Sequence, residues 1–367
     1  MILDEVDPAT RSVLERHGFD AETFAHLQAA LISGTLAPGA NVVSGAVEAL
    51  EPGDLTRLLA PDEAGYDEAV ATGTEALRTG TIAVVVLAGG MATRFGGGVK
   101  AVAEVFDGRS FLEVKLRETR RLARALDCTI PEALMTSFAT DDAIGAYLTE
   151  RGLGDPLRFV QPAAPRLRPN GSLFLAADGK PSLYGQGHGD LFSTLRASGA
   201  LEELVDAGVR SVIVSNVDNL AARVDPAIVG MHVLAGTPFT VEVVPKERDT
   251  GGAPARVDGR PRLLEAMQFP PEFDQDLVPV FNTNTSLITT EALSDPGELT
   301  WLVVEKHVAG EPVIQFERLY HELSAHVATT YLVVPRAGAR GRFLPVKEPS
   351  DLVEMQPLLR EMLAEAP

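Results

Sequence analysis

The alternation of apolar and polar residues predicts a succession of strands and helices from residue 81 onward. TIAVVVLAGG is a β-branched run that ends in glycines, which is typical of a fully buried parallel strand. The alternation continues with a helix at SFLEVKLRETRRLARAL, a strand at PEALMTS, a helix at DDAIGAYLTE, a strand at RFVQ, a helix at LFSTLRASGALEELVDAG and a strand at SVIVSN. This order predicts a doubly wound, Rossmann-like α/β sheet with right-handed crossovers.

The pattern differs on both sides of this region. Residues 1–80 have helix-like apolar spacing and are expected to form an N-terminal helical layer over the sheet. After Pro226, FTVEVVP, RLLEAMQF and FNTNTSLIT predict strands of an added small antiparallel sheet or lid, VIQFERLYHELSAH a helix, TTYLVVP a strand and DLVEMQPLLREMLAEA a closing helix. The expected domains are the helical layer at 1–80, a main α/β domain at 81–335 and a C-terminal segment at 336–367.

Composition and charge exclude several classes of function. Hydrophobic residues make up 45% of the 367 residues and charged residues 23%, the balance of a globular protein with a sizeable core. A net charge of −19 argues against a general nucleic-acid or membrane-surface binder, so an anionic substrate would need a local basic pocket. The single cysteine, Cys128, excludes a disulfide framework and a Cys-based zinc site within one chain. The acidic start and the short apolar runs predict a cytoplasmic protein.

A glycine-rich loop follows the first predicted strand. LAGGMATRFGGGVK places Gly89 and Gly90 where backbone N–H groups can approach a phosphate or a base, and Arg94 and Lys100 add two cations. The loop matches neither the P-loop pattern nor the dinucleotide-binding pattern. It is predicted to form an anion pocket, and the alternative is a plain glycine turn with two solvated cations.

A second set of polar residues follows the strand SVIVSN. Asn216, Asp218 and Asn219 stand at its carboxyl end, where side chains face the ligand crevice of a parallel sheet. A carboxylate here suits Mg²⁺, which takes one or two carboxylates together with substrate phosphates. The alternative is that Asp218 or Asn219 caps the following helix.

Three weaker motifs complete the candidate chemistry. YGQGHGD contains His188 in a glycine-rich turn before a helix, FNTN contains polar side chains suited to sugar hydroxyls, and FLPVK contains a single cation. His321 and His326 lack the spacing of a zinc-binding H-E-x-x-H helix, so that segment is expected to be a surface helix.

Taken together and in this order, the motifs resemble the eukaryotic-type UDP-glucose pyrophosphorylases, the UTP–glucose-1-phosphate uridylyltransferase family. The resemblance covers 84–352 and includes FVQPAAPRL, GQGHGDLF, VSNVDNLAARVD, LLEAMQFP, FNTNTSLI, VIQFER and RFLPVKEPSDL. It implies that residues 81–335 form a nucleotidyltransferase domain. The implied nucleotide-binding residues are Leu87, Ala88, Gly89, Gly90, Gln161 and Gly187.

The resemblance also implies roles at the phosphates and the sugar. Lys100 and Lys347 would act on the phosphates as catalytic cations, and Asp218 would bind Mg²⁺. Arg94 is expected to act as a third catalytic cation because of its charge and its place in the glycine-rich loop. The implied sugar-phosphate residues are His188, Gly189, Asn216, Glu265, Asn282 and Asn284. Two features depart from the family pattern, because GGGVK keeps one lysine of the usual K-G-P-K and Arg94 stands at a position that is usually small. The family's C-terminal β-helix has no counterpart in the sequence, so a monomer or a dimer through the α/β body is expected.

The implied reaction joins a nucleoside triphosphate (UTP by default) and a sugar 1-phosphate (glucose 1-phosphate by default) to give a nucleotide sugar and pyrophosphate. A phosphate monoester has a second pKa of about 6, so this nucleophile is already charged and needs no general base. Catalysis then depends on positioning and on charge neutralisation by Mg²⁺, lysine and arginine. The alternatives are the same chemistry with GTP and a sugar-like cyclitol phosphate of the valienol 1-phosphate type, or a non-catalytic nucleotide-sugar sensor.

Overall fold

The computed structural model describes residues 2–91, 97–346 and 349–365. The helices are α1 (Ile2–Glu5), α2 (Pro8–Arg16), α3 (Ala21–Ser33), α4 (Tyr66–Arg78), α5 (Phe111–Ala125), α6 (Asp141–Glu150), α7 (Leu191–Ala197), α8 (Ala200–Asp206), α9 (Pro226–Ala235), α10 (Thr290–Ser294) and α11 (Pro349–Glu365). The strands are β1 (Val47–Glu48), β2 (Leu55–Arg57), β3 (Ile82–Leu87), β4 (Glu104–Phe106), β5 (Arg109–Ser110), β6 (Glu132–Ser137), β7 (Leu157–Gln161), β8 (Ala163–Pro165), β9 (Leu183–Gly185), β10 (Ser211–Asn216), β11 (Phe239–Pro245), β12 (Ala253–Val257), β13 (Arg260–Leu264), β14 (Val280–Thr289), β15 (Leu302–Val308), β16 (Glu311–Glu317) and β17 (Thr329–Val333).

A mixed sheet of eight strands forms the centre of the molecule, in the order β2-β17-β11-β14-β10-β3-β6-β7. The β10, β3, β6 and β7 strands run parallel, as do β11, β17 and β2, whereas β14 is antiparallel to both of its neighbours. The predicted doubly wound α/β sheet is therefore confirmed. Its parallel half brings the carboxyl ends of four strands to one edge, which is where ligands bind in open α/β sheets.

Strand β3 shows why both faces of the sheet are covered. Val84 and Val86 pack in one apolar cluster with helices α4, α5 and α9, whereas Ala83 and Val85 pack in a second cluster with α7 and α8. Successive side chains of a strand point to opposite faces, so a continuous apolar run is buried on both.

Helices α4 and α9 approach each other closely at two glycines. A Cβ atom on Gly73 would lie 1.9 Å from the backbone oxygen of Pro226, and one on Gly230 would lie 1.7 Å from that of Ala69. Both positions therefore exclude a side chain, because real Cβ atoms do not come within 3.0 Å of backbone atoms. This contact fixes α4 to the helix that follows β10.

The expected helical layer at 1–80 is present, and the segment also contributes two short strands that the sequence did not predict. Helices α1 to α4 are present, but β2 pairs with β17 in the central sheet and β1 pairs with β12. Strands of two or three residues are too short to show a period-two pattern, and their partners come from far along the sequence. The division of the chain into domains at residues 80 and 335 stays a prediction.

Two further expectations also differ from the structure. Strands β11 and β14 lie inside the central sheet, and the small antiparallel sheet consists of β1, β12 and β13. The predicted helix at VIQFERLYHELSAH is instead strand β16, paired with β15, followed by a 3-10 helix at Tyr320–Ala325. Short apolar runs do not distinguish a buried strand from a helix by periodicity alone. His321 is buried in that 3-10 helix and is not on a surface helix.

Within the described parts of the chain, no helix combines the length and the apolar character needed to cross a membrane.

Candidate active site

A cavity of about 440 Å³ opens at the carboxyl ends of β3, β6, β7 and β10. Both motifs predicted from strand ends, the glycine loop and the Asp218 segment, contribute to its wall. The predicted residues that line it are Leu87, Gly89, Gly90, Lys100, Gln161, Gly187, His188, Asn216 and Asp218. The structure thus brings together residues from five separate stretches of sequence.

One end of the cavity is built around the amide of Gln161, at the end of β7. A Cβ on Gly89 would lie 2.4 Å from the Gln161 Nε2, and one on Gly185 would lie 2.5 Å from the same atom. The hydroxyl of Ser137 donates to the backbone oxygen of Gly89 at 2.9 Å and ties the loop to β6. The two glycines therefore leave room for the Gln161 amide, which has both a donor and an acceptor.

Ala88 and Gly189 lie behind the cavity wall. Ala88 is fully buried, and its N–H donates to the backbone oxygen of Met135 at 2.8 Å. Gly189 is also buried, its N–H donates to the backbone oxygen of Arg318 at 2.8 Å, and a Cβ there would meet the Arg318 backbone at 2.5 Å. Both residues shape the wall, and their N–H groups are already engaged.

His188 enters the cavity as a neutral donor. Its Nδ1 accepts a hydrogen bond from the backbone N–H of Tyr320 at 3.1 Å, which leaves the proton on Nε2. Burial lowers the pKa of His188 to about 4. A neutral Nε2–H can donate to a phosphate oxygen or a hydroxyl without adding charge.

Lys100 and Asp218 meet across the cavity. The Lys100 Nζ lies 2.5 Å from the Asp218 Oδ2, and both side chains are mostly shielded from solvent. The helix-cap alternative for Asp218 is excluded, because α9 is capped by Asp225, whose Oδ1 accepts from the Ala227 N–H at 2.8 Å.

The donor set fits Mg²⁺ only in combination with a ligand that carries phosphate. Among the residues whose positions are described, no group of three or more His, Cys, Asp or Glu side chains could hold a metal ion. Asp218 supplies a single carboxylate, and its pairing with the Lys100 ammonium shows that the site accepts a positive charge. One carboxylate plus substrate phosphates is a usual set for Mg²⁺.

Asn282 and Asn284 do not line the cavity, but they are hydrogen-bonded in a chain to Asn216, which does. The Asn284 Nδ2 donates to the Asn216 Oδ1 at 2.8 Å, and the Asn282 Oδ1 accepts from the Asn284 N–H at 3.0 Å. Asn284 has a φ of 56°, beside a register shift between β11 and β14. A bulge of this kind redirects a side chain, here toward the end of β10.

Glu265 lies next to this amide chain and outside the cavity wall. A Cβ on Gly252 would lie 3.0 Å from the Glu265 Oε1 and 3.4 Å from the Asn282 Nδ2, so both side chains border the same glycine. Burial raises the pKa of the Glu265 carboxyl. The His321 Nε2 lies 3.7 Å from the Glu265 Oε1, so a second histidine lies next to the residues predicted to bind the sugar phosphate.

Two predicted catalytic residues, Arg94 and Lys347, lie outside the described residues. The chain is described as far as Val346, whose N–H donates to the backbone oxygen of Asp218 at 3.2 Å.

The cavity also contains polar residues that the sequence analysis missed. These are Ser137, Arg166, Tyr184, Lys306, Gln315 and Glu317. Arg166 stands in the same segment as Gln161, so its place in FVQPAAPRL was a usable signal. The β15–β16 hairpin provides Lys306 and Glu317, whose Nζ and Oε1 lie 2.5 Å apart. The local sequence of the hairpin does not indicate that these residues line the cavity.

The sequence profile of the UTP–glucose-1-phosphate uridylyltransferase family matches residues 56–363. The chain belongs to this family. The uridylyltransferase of Saccharomyces cerevisiae is 33% identical over 296 residues, covering 74% of this chain and 58% of its own length. That of Solanum tuberosum is 33% identical over 296 residues, covering 75% of this chain and 61% of its own length. The chain thus spans about three fifths of the length of these uridylyltransferases.

Solved structures of pyrophosphorylases share the fold of this uridylyltransferase-family chain. A UDP-glucose phosphorylase from Trypanosoma brucei superposes with a TM-score of 0.76 at 24% identity, over 95% of this chain and 78% of its own. A variant UDP-glucose pyrophosphorylase from Leishmania major in complex with UDP-glucose gives 0.68 at 23%, over 95% and 76%. A uridine diphosphate N-acetylglucosamine pyrophosphorylase from Trypanosoma brucei gives 0.77 at 19%, over 96% and 80%. Enzymes named for two different sugars therefore share this fold, so the fold alone does not identify a sugar.

Proposed function

We propose that this protein transfers a uridylyl group from UTP to a sugar 1-phosphate, with glucose 1-phosphate as the acceptor, and releases pyrophosphate. One observation carries the proposal: a single cavity has the Gln161 amide in its wall together with Lys100, Asp218 and the neutral donor His188. Membership of the uridylyltransferase family supports uracil as the base.

In this proposal the uracil ring lies against the glycine loop. Gln161 pairs with the edge of the ring, and Gly89 and Gly185 allow the close approach that their missing Cβ atoms permit. The Ser137 hydroxyl donates a hydrogen bond to the Gly89 backbone oxygen and so keeps the glycine loop next to the ring. This end of the cavity binds and orients the nucleoside without taking part in bond making.

The reaction centre lies toward Lys100 and Asp218. A phosphate oxygen of the sugar phosphate attacks the α-phosphorus of UTP, the bond from that phosphorus to the bridging oxygen breaks, and pyrophosphate leaves. The Lys100 ammonium neutralises phosphate charge there, and we assign Lys347 and Arg94 the same task from their positions in the sequence. Asp218 would hold Mg²⁺ together with phosphate oxygens, and the ion would supply further charge neutralisation.

The part of the cavity that binds the sugar phosphate, the sugar end, is formed by the neutral His188, by asparagine amides and by Glu265, whose pKa is raised by burial. His188 donates to the sugar phosphate through Nε2–H, and Asn216 presents its amide with Asn284 bound behind it. Glu265 and Asn282 support this end from beside Gly252. A site whose buried polar groups pair with hydroxyls rejects analogues that lack them, because those groups are then left unpaired.

A substrate panel tests the proposal. Purified protein with Mg²⁺ is offered each of UTP, GTP, ATP and CTP with glucose 1-phosphate, N-acetylglucosamine 1-phosphate and valienol 1-phosphate, and pyrophosphate release is measured. The expected result is the highest kcat/KM for UTP with glucose 1-phosphate, and strong loss of activity in Asp218→Asn. Preference for GTP with the cyclitol phosphate would overturn the substrate assignment, and absence of turnover with every pair would overturn the activity.

We further propose that the protein works in the cytoplasm as a monomer, or as a dimer through its α/β body. Light scattering at several protein concentrations tests the assembly state, and a stable octamer would contradict it.

A further inference from the structure

The loop after β10 is joined to a segment from far along the chain. We call residues 216–223 the Asp218 loop and residues 342–346 the docked segment. Asn219 is 1% exposed and does not line the cavity, yet both ends of its amide are used: Nδ2 donates to the backbone oxygen of Arg342 at 3.1 Å, and Oδ1 accepts from the Leu344 N–H at 2.9 Å. One side chain therefore fixes two points of the docked segment.

Backbone contacts continue from this amide toward the cavity. Asn219 and Pro345 form an antiparallel bridge, and the Val346 N–H donates to the Asp218 backbone oxygen at 3.2 Å. The docked segment thus runs beside the residue whose carboxylate faces the Lys100 ammonium. The next residue in the sequence is Lys347.

A buried ion pair anchors the start of the docked segment. The Arg342 guanidinium donates to both carboxylate oxygens of Glu242, at 2.8 and 2.6 Å, and through Nη1 to the Arg223 backbone oxygen at 2.6 Å. Arg342 is 3% exposed and Glu242 is completely buried, so this pair gains little net stability from its charges after desolvation. The two parallel hydrogen bonds instead fix the orientation of the Arg342 side chain, because they define the plane of its guanidinium group.

The other end of the Asp218 loop is also held. The Lys115 Nζ, buried on α5, donates to the Ser215 hydroxyl at 2.8 Å and to the Ala222 backbone oxygen at 3.0 Å. The loop is therefore fixed at its start and near its end, and Asn219 lies between these points. A shift of the docked segment relative to Asp218 has to break the Asn219 contacts.

We propose that Asn219 is a positioning residue of the transferase, which holds the docked segment so that Lys347 and Asp218 act on the same phosphates. This inference rests on the proposed function. Asn219 lies behind the cavity and binds no substrate, so its loss changes the alignment of the phosphate-binding groups and leaves the base-binding and sugar-binding residues intact.

The test compares Asn219→Ser with Asn41→Ser. Asn41 is a matched control, because it is a buried asparagine whose amide also holds both backbone groups of one residue, Val303, at 2.7 and 2.8 Å. We expect kcat to fall about 10- to 100-fold in Asn219→Ser, because a misplacement of about 1 Å can cost about 10²-fold. Both KM values stay within about three-fold, and Asn41→Ser loses thermal stability while kcat stays within about two-fold.

A double-mutant cycle with Lys347→Ala separates positioning from general weakening. If Asn219 acts through Lys347, Asn219→Ser has little further effect on kcat in the Lys347→Ala background, because residues that act as a unit are not additive. Equal loss of kcat in the two backgrounds, an unchanged kcat in Asn219→Ser, or an equal loss in Asn41→Ser would each overturn the proposal.

Hydrogen exchange distinguishes failure of this proposal from failure of the proposed function. The backbone amides of Leu344 and Val346 are expected to be protected in the parent protein and to exchange faster in Asn219→Ser. If the parent protein turns over no substrate pair, the proposed function fails, and unchanged exchange in Asn219→Ser would then also overturn the docking role of Asn219.

Discussion

The close fit between Gly89 and Gln161 gives a sharp prediction for Gly89→Ala. The φ of Gly89 lies outside the left-handed region, so alanine meets no backbone strain there. Its Cβ would lie 2.4 Å from the Gln161 Nε2. Carbon and nitrogen atoms in contact normally stay about 3.5 Å apart, so the amide has to move by about 1 Å.

The magnitude follows from the hydrogen bonds that such a movement breaks. An amide that pairs with a base edge makes two bonds, and each neutral bond is worth about 0.5–1.5 kcal/mol. Losing both costs about 1–3 kcal/mol, which corresponds to a fall of about 5- to 150-fold in kcat/KM for UTP. The loss should appear chiefly as a raised KM for UTP, because the base is bound equally in the ground state and the transition state.

The assay measures pyrophosphate release in a cycle of Gly89→Ala, Gln161→Ala and the double variant, with thermal melts to confirm folding. In the Gln161→Ala background the added methyl group meets no amide, so Gly89→Ala should then be nearly neutral. Gly185→Ala, whose Cβ approaches the same Nε2 at 2.5 Å, should behave in the same way. A KM for UTP within two-fold of the parent value in Gly89→Ala, or additive effects in the double variant, would refute the reasoning.

Four other variants test separate parts of the molecule. Asp218→Asn should fold normally and lose activity about 100-fold or more at limiting Mg²⁺; near-parental turnover there would remove Asp218 from the metal site. Lys347→Ala should lower kcat more than it raises the KM for UTP, and a pure KM effect would make it a binding residue. Burial lowers the pKa of His232 to about 4, so the folded state resists its protonation; between pH 6.5 and 4 this should remove about 3 kcal/mol of stability, and His232→Gln should flatten that loss in denaturant titrations. Gly73→Ala should destabilise the fold by about 3 kcal/mol, since its Cβ would lie 1.9 Å from the Pro226 oxygen, whereas Gly53→Ala, where nothing lies within 4 Å, should melt like the parent.

The features predicted correctly were those with a strong local signal. Strand β3 is a continuous β-branched run, and the glycines after it and Asp218 after β10 follow strands at the edge where ligands bind. Chain order and strand type were sufficient to bring these residues into one cavity. The general position of the site was therefore predictable before any contact was known.

The features that were missed depend on partners that are distant in sequence. VIQFE was expected to be helical, but it is β16, because it pairs with β15 while Ile314 and Phe316 pack in an apolar cluster and Gln315 lines the cavity. His321 was expected on a surface helix, yet it packs 5.6 Å from the His188 ring, centre to centre. Neither contact has a counterpart in the local pattern, because tertiary packing decided both.

The sugar end shows a different limit of sequence reasoning. Asn282 and Asn284 are two residues apart on a strand, which alone would place both side chains on one face. The bulge at Asn284 breaks this rule and sends its amide to Asn216. The sequence motif identifies both residues, but only the backbone geometry shows that Asn284 is connected to the cavity by its hydrogen bond to Asn216.

The docked segment lies late in the chain, which affects when its contacts can form during synthesis. Residues 55–57 leave the ribosome early, but β2 has no sheet partner until β17 follows at 329–333. The Asp218 loop likewise waits for residues 342–346 before Asn219 can form its two bonds. Contacts between such distant residues slow folding, because the loop between them has to close first. During synthesis the docked segment therefore leaves the ribosome after all eight strands of the central sheet, so the Asn219 contacts form later than the strands that carry Gly89 and Gln161 can pair.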